Sequence, residues 1–186
     1  MKNTKFIFIA LISGLLAFSC KKDKLDPVEN PPAQNEEELI TTFKLTFTDS
    51  SGIDPTKEFY FKDIDGPGGN APSLFDTIRI NSNQTYLVSI ELFNESVSPA
   101  EDITSEILAE ADEHLFCFSP NINGNLSIVR TDSDGTYEIG LSSKWKTLSI
   151  SNGAVVIKLK HQPSLKNGSC DVGETDIELS FVVEIQ

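Results

Sequence analysis

Residues 174–185 read Glu174-Thr175-Asp176-Ile177-Glu178-Leu179-Ser180-Phe181-Val182-Val183-Glu184-Ile185. Ile177, Leu179, Phe181, Val183 and Ile185 fall on one side of a period of two, and Glu178, Ser180 and Glu184 on the other. A strand with one face on a core and the other in water has this pattern. Working back along the chain, Val155, Ile157 and Leu159 alternate with Lys158 and Lys160. Tyr86, Val88, Ile90 and Leu92 alternate with Ser89 and Glu91. Phe43, Leu45 and Phe47 alternate with Lys44, Thr46 and Thr48, while Phe59 and Phe61 flank Tyr60 and Leu126 and Ile128 flank Ser127. Leu115 to Phe118 is a short continuous apolar run, the signature of a strand covered on both faces.

Turn signals separate these runs: Asp65-Gly66, Pro67-Gly68-Gly69, Asp134-Gly135 and Asn152-Gly153. About seven to nine short strands with such turns predict an all-β fold, a two-sheet antiparallel sandwich of immunoglobulin-like type. One short helix is inserted between strands. Its expected N-cap is Ser98, with Pro99 at the first helical position, Glu101 completing a capping box, and Ile103, Ile107 and Ala111 as the apolar stripe. The helix is expected to end near His114.

The first forty residues predict export. Lys2 and Lys5 precede an apolar run of 13 residues, Phe6 to Phe18. A helix of that length spans ~20 Å, short of the ~30 Å hydrocarbon core, so a signal peptide over residues 1–19 fits better than a transmembrane anchor. The run ends Leu16-Ala17-Phe18-Ser19-Cys20, which resembles a bacterial lipobox. The usual Leu three places before the cysteine is here Ala17, with Leu16 one place earlier. Cys20 is the expected lipidation site, and its acyl chains tie the protein to a membrane. Residues 20–38, with Pro31-Pro32 and Glu36-Glu37-Glu38, hold little apolar surface and are expected to form a flexible tether of ~25 Å reach. Residues 39–186 then form the sandwich domain.

Removing Lys2 and Lys5 from the 15 basic side chains leaves 13 against 28 acidic, a formal charge of −15. A basic footprint is absent, so nucleic acid is not an expected partner. Export permits a disulfide between the two remaining cysteines, Cys117 and Cys170, but their pairing is left open by the sequence.

Candidate chemistry is sparse. Glu110-Ala111-Asp112-Glu113-His114 gathers acids at the unfavourable end of the helix dipole. If the helix continues, Glu110 and His114 share a face. His161 ends a strand and Glu174 opens the last one. Glu110, His114, His161 and Glu174 are therefore the candidate ligands for a divalent metal. The competing reading is that His114 complements the dipole and the acids are simply solvated. Asp63-Ile64-Asp65-Gly66 and Asp132-Ser133-Asp134-Gly135 look like fragments of calcium loops, but Phe61 and Arg130 stand where an earlier ligand belongs, so hairpin turns are expected. Ser143-Lys144-Trp145-Lys146 matches Ser-x-x-Lys formally, without the helix start that this motif requires. Trp145 is assigned to packing. With no nucleophile elbow, phosphate-binding glycine loop or His-Glu-x-x-His, the chain is read as a non-enzyme with no resident cofactor, a divalent metal excepted.

From Phe43 to Ile185 the chain resembles a group of short lipoproteins of Bacteroidota. The resemblance rests on Asp63-Ile64-Asp65-Gly66 with Asn70-Ala71-Pro72, on Asn94-Glu95-Ser96, on Glu110 to His114, on His161-Gln162-Pro163, and on Gly173 to Glu178. Members are often labelled type 1 periplasmic binding fold proteins, a fold that is α/β and longer than this all-β pattern allows. The resemblance implies an outer-membrane lipoprotein, often encoded near a TonB-dependent receptor, with no settled activity. Asp76-Thr77-Ile78 also resembles the O-glycosylation sequon of these bacteria, in a stretch expected to be a strand. Lys21, rather than Asp, follows the lipidated cysteine, which points the same way, to the outer membrane; the leaflet is left open.

Two functions follow as expectations: a lipid-anchored accessory or binding module assisting an outer-membrane receptor, or a divalent-metal-binding lipoprotein using His114 and His161. The anchor is testable directly. Cys20→Ala is expected to abolish labelling by a fatty-acid probe and to release or mislocalise the protein; normal labelling of that variant refutes the lipobox reading.

Overall fold

The computed structural model describes residues 38–186; the expected signal peptide, Cys20 and the expected tether up to residue 37 lie outside the described residues. The described residues, 38–186, belong to one compact unit. Its elements are β1 (Thr42–Asp49), β2 (Lys57–Lys62), β3 (Leu74–Phe75), β4 (Ile78–Ile80), β5 (Thr85–Asn94), β6 (Glu101–Asp102), α1 (Ile103–Ala109), β7 (His114–Asn121), β8 (Leu126–Arg130), β9 (Ser142–Thr147), β10 (Ser151–His161) and β11 (Glu174–Ile185). Three of the eleven strands have only two or three residues.

The larger sheet runs β3-β2-β1-β5-β9-β8, with β6 paired to β5; the smaller runs β4-β11-β10-β7. All pairings are antiparallel except that of β4 with β11. The all-β sandwich read from the alternation is thus the observed fold. Its inner faces carry the predicted stripes: Phe43, Leu45 and Phe47 of β1, Val88, Ile90 and Leu92 of β5, Val155, Ile157 and Leu159 of β10, and Phe181, Val183 and Ile185 of β11 are all buried in one core. Phe47 sits edge-on to Phe59, Tyr86 and Trp145 at centroid distances of 5.4, 5.8 and 5.0 Å. Truncating such a fully buried Phe costs about 3–5 kcal/mol. Trp145 is a core residue, and its indole N–H donates to Ser143 Oγ at 2.9 Å. Ser143 and Lys146 lie on β9, so Ser-x-x-Lys has no helical context.

The helix differs from its predicted start. Glu101 and Asp102 pair with Asn94 and Phe93 of β5, which keeps the chain extended through Asp102. Asp102 rather than Ser98 is the N-cap, its carboxylate accepting from the Ser105 N–H. Ile103 and Ile107 still face the core. After Ala109 the chain turns, and His114 begins β7 instead of ending the helix.

Both acidic glycine motifs are turns. Gly66 N–H donates to the Asp63 carbonyl, and Asp134 N–H to the Tyr137 carbonyl. The Asp134 carboxylate is taken by Lys166 at 2.7 Å.

Cys117 and Cys170 form a disulfide. Phe116 enters the core, so Cys117 points to the opposite face of β7, and the bridge fastens the 162–173 segment over that face. Closing a loop of 53 residues stabilises by about 4 kcal/mol in the chain-entropy account.

Candidate metal centre

The register of the smaller sheet sets His114 directly opposite His161. Both continue core-facing stripes. On β10 the inward sequence is Val155, Ile157, Leu159 and then His161; on β7 it is Phe116 and, two residues earlier, His114. The two imidazoles therefore enter the interior at the end of the apolar core, where they stack with centroids 4.4 Å apart and planes at 17°. His114 has no exposed surface and His161 is 2% exposed.

A bulge supplies the first carboxylate. Leu159 pairs with Ile177, but Lys160 pairs with Thr175, so Asp176 is the extra residue on β11. A bulge breaks the alternation and re-aims one side chain. The Asp176 side chain is fully buried, with Oδ2 4.0 Å from His114 Nε2. The second carboxylate is Glu38, just ahead of β1, whose Oε1 lies 3.5 Å from the same nitrogen. The outer oxygen of Glu38 and His114 Nε2 are both buried without a hydrogen bond.

The tautomer of His114 follows from its other nitrogen. Nδ1 lies 3.1 Å from the Glu110 carbonyl oxygen, which can only accept, so Nδ1 carries a proton. Neutral His114 therefore turns a lone pair toward two carboxylates, an arrangement relieved by a proton, on the ring or on a carboxyl group, or by a cation. The electrostatics agree. Burial alone would lower the pKa of His114, but the Glu38 carboxylate, the Glu110 carbonyl and the Asp176 charge outweigh it, and the net shift is upward. Burial would raise the pKa of Glu38, but its contact with His114 outweighs that, and the net shift is downward.

Ligand atoms of Glu38, His114, His161 and Asp176 all lie within 4.8 Å of one another. Bonds of ~2.1 Å in a tetrahedron put ligand atoms ~3.4 Å apart. The observed 3.5 and 4.0 Å need only a slight contraction. The set offers two borderline nitrogens and two hard oxygens without thiolate, suited to zinc or a similar first-row divalent ion.

Of the four ligands expected from the sequence, His114 and His161 are brought together. Glu110 is not: with the helix ended, it is an exposed turn residue that gives His114 its backbone carbonyl. Its carboxylate belongs to a second, outer grouping with Glu113 and His161, in which Glu113 Oε2 is 3.4 Å from His161 Nε2. Glu174 pairs with His161 across the backbone ladder, yet its side chain is exposed and in neither grouping. The bulge hands its role to Asp176. Glu38, placed in the tether by the sequence, is the other candidate ligand that the sequence pattern did not indicate.

The surroundings are clamped. Gln162 N–H donates to the Glu113 carbonyl at 2.6 Å, and Lys166 Nζ donates to the Ala111 carbonyl at 2.6 Å. Gln162 Nε2 holds the Ser169 and Val172 carbonyls. Gly173, at φ +76°, packs so close to the His161 carbonyl that an added Cβ would collide with it.

The chain matches no family model, no curated protein and no solved structure.

The two pKa shifts fix a pH window for the metal-free protein. His114, raised above 6.5, contributes stability fully below that value and loses it as pH rises through its folded pKa. Glu38, lowered below 4.5, contributes fully above that value and loses it as pH falls through its folded pKa. The pair is thus at full strength from 4.5 to 6.5. In melts of residues 21–186 with chelator present, the melting temperature is expected to fall as pH is raised from 6.5 towards 9. Glu38→Gln should flatten that fall; an identical decline in the variant contradicts the assignment.

Proposed function

We propose that this chain is a lipid-anchored outer-membrane binding module whose sandwich holds a divalent cation between Glu38, His114, His161 and Asp176. The observation that carries the proposal is the convergence of two buried imidazoles on the buried Asp176 carboxylate and the partly buried Glu38 carboxylate. Taking such groups out of water costs several kcal/mol, and that cost is offset only by a proton or a metal among them.

Four protein ligands complete a tetrahedral shell. Catalytic zinc keeps one position open, whereas a closed site holds the ion for structure, storage or sensing. Binding is therefore the function assigned, rather than turnover. The export signal, the lipobox and the Bacteroidota resemblance support the location. A neighbouring TonB-dependent receptor is the partner that this resemblance suggests.

Metal binding should stabilise the domain by ~2.7 kcal/mol when free zinc exceeds Kd a hundredfold. Thermal melts of residues 21–186 at pH 7.5 are expected to rise with zinc, and Asp176→Asn and His161→Ala should each remove the rise. Affinity should weaken as pH falls, because protonated imidazole cannot ligate. An unchanged wild-type melt, or a rise that survives both substitutions, overturns the metal assignment and leaves an imidazolium–carboxylate pair in its place.

A further inference from the structure

Beside the histidine–carboxylate cluster lies a cavity of about 630 Å³, within the size range of small-molecule sites. Glu38 and Asp176 belong to both, so the cluster forms one wall of the cavity. Three features define what the cavity accepts.

Its walls are apolar and aromatic. Phe61 stacks edge-on against Phe75 at 5.2 Å, and Phe75 against Phe181 at 5.0 Å, while Leu179 continues the surface. Phe75 is 45% exposed, an aromatic face left open to whatever enters.

Its charge is of one sign. Glu38, Asp63, Asp176 and Glu178 line it, and no Lys, Arg or His does among the described residues. Glu178 has a counter-ion in Lys158 at 3.0 Å. Among the described residues Asp63 has no such counter-ion: one of its oxygens is buried without a hydrogen bond, and its pKa is raised by burial and by neighbouring Asp65.

Behind the wall, His114 is wholly buried and turns an unbonded Nε2 toward Glu38 and Asp176. The positive charge that the cluster carries in metal-free protein, the His114 ring, lies on the far side of these carboxylates and leaves the Asp63 end of the cavity without one among the described residues.

We infer that this cavity binds a small organic ammonium ion, with the apolar body against Phe61, Phe75 and Leu179 and the charged head at the Asp63 end of the carboxylate wall. A carboxylate or phosphate ligand would meet the same wall with like charge. A neutral apolar ligand would fill the walls but leave Asp63 without a counter-charge. An ammonium ion satisfies both, and the open aromatic faces add cation–π attraction. The ammonium site does not require the metal: in metal-free protein the wall is more acidic and the preference for a cation stronger.

The test is isothermal titration calorimetry of residues 21–186, treated with chelator, at pH 7.5, with three probes of one shape: 4-phenylbutylammonium, 4-phenylbutanol and 4-phenylbutyrate. The ammonium should bind saturably at one site, the alcohol at least tenfold more weakly, and the carboxylate without measurable heat. Asp63→Asn keeps the side-chain shape and removes the charge; it should weaken the ammonium at least fivefold and leave the alcohol unchanged. Equal binding of ammonium and alcohol, saturable binding of the carboxylate, absence of ammonium binding, or indifference to Asp63→Asn overturns the proposal. Since no metal is present, these outcomes are independent of the zinc melts.

Discussion

One register carries the site: β7 against β10, with His114 opposite His161 in phase with the core-facing residues. Side chains alternate with a period of two, so a slip of one residue would send both imidazoles to the outer face. The slip is prevented far from the histidines. Phe116, Val155, Ile157 and Leu159 are all fully buried, and moving them out would expose the heart of the core. The apolar packing that makes the sandwich therefore also fixes the polar cluster at its end. β11 adds Asp176 through its bulge, and the segment ahead of β1 adds Glu38. Each reaches the same nitrogen from a different part of the chain.

The cluster is costly and the structure is arranged to hold it. Its edge is shut by the acidic turn after α1, tied down by the Gln162 and Lys166 bonds to backbone carbonyls. Lys166 is itself held by the Asp134 carboxylate, whose pKa this contact lowers to about 2. Lys166 and the carbonyls gripped by Gln162 lie in the 162–173 segment, which the Cys117–Cys170 bridge pins to β7. The disulfide thus supports the turn that covers His161. Buried polar groups that are fully determined in this way tend to specify one arrangement, whereas half-satisfied ones leave several.

Much of the fold was legible because it rests on a short-range pattern. Alternation in β1, β5, β10 and β11 named the inner faces correctly, and Trp145 was read as packing. The helix start was misread because local capping chemistry at Ser98 and Glu101 competes with a tertiary effect, the pairing of Glu101 and Asp102 with β5. The histidines were legible as a pair of candidates, and their phase with Phe116 and Leu159 was available in the sequence as a further signal. Their carboxylate partners were not. On an unbroken strand Glu174 and Asp176 would both share the outward face with Glu178 and Ser180, and only the bulge, which no local pattern announces, turns Asp176 inward. Glu38 stands in a run of three glutamates that composition assigns to solvent, and only the folded chain brings it to His114.

The proposed function rests on a cation held between the paired histidines and the carboxylates of Glu38 and Asp176. Crystals of residues 21–186 grown with zinc, measured on both sides of the zinc absorption edge, test it most directly. An anomalous peak is expected within ~2.2 Å of a ring nitrogen of both His114 and His161, with oxygens of Glu38 and Asp176 completing the shell. A peak at the outer grouping of Glu110, Glu113 and His161, or at surface carboxylates alone, would contradict it.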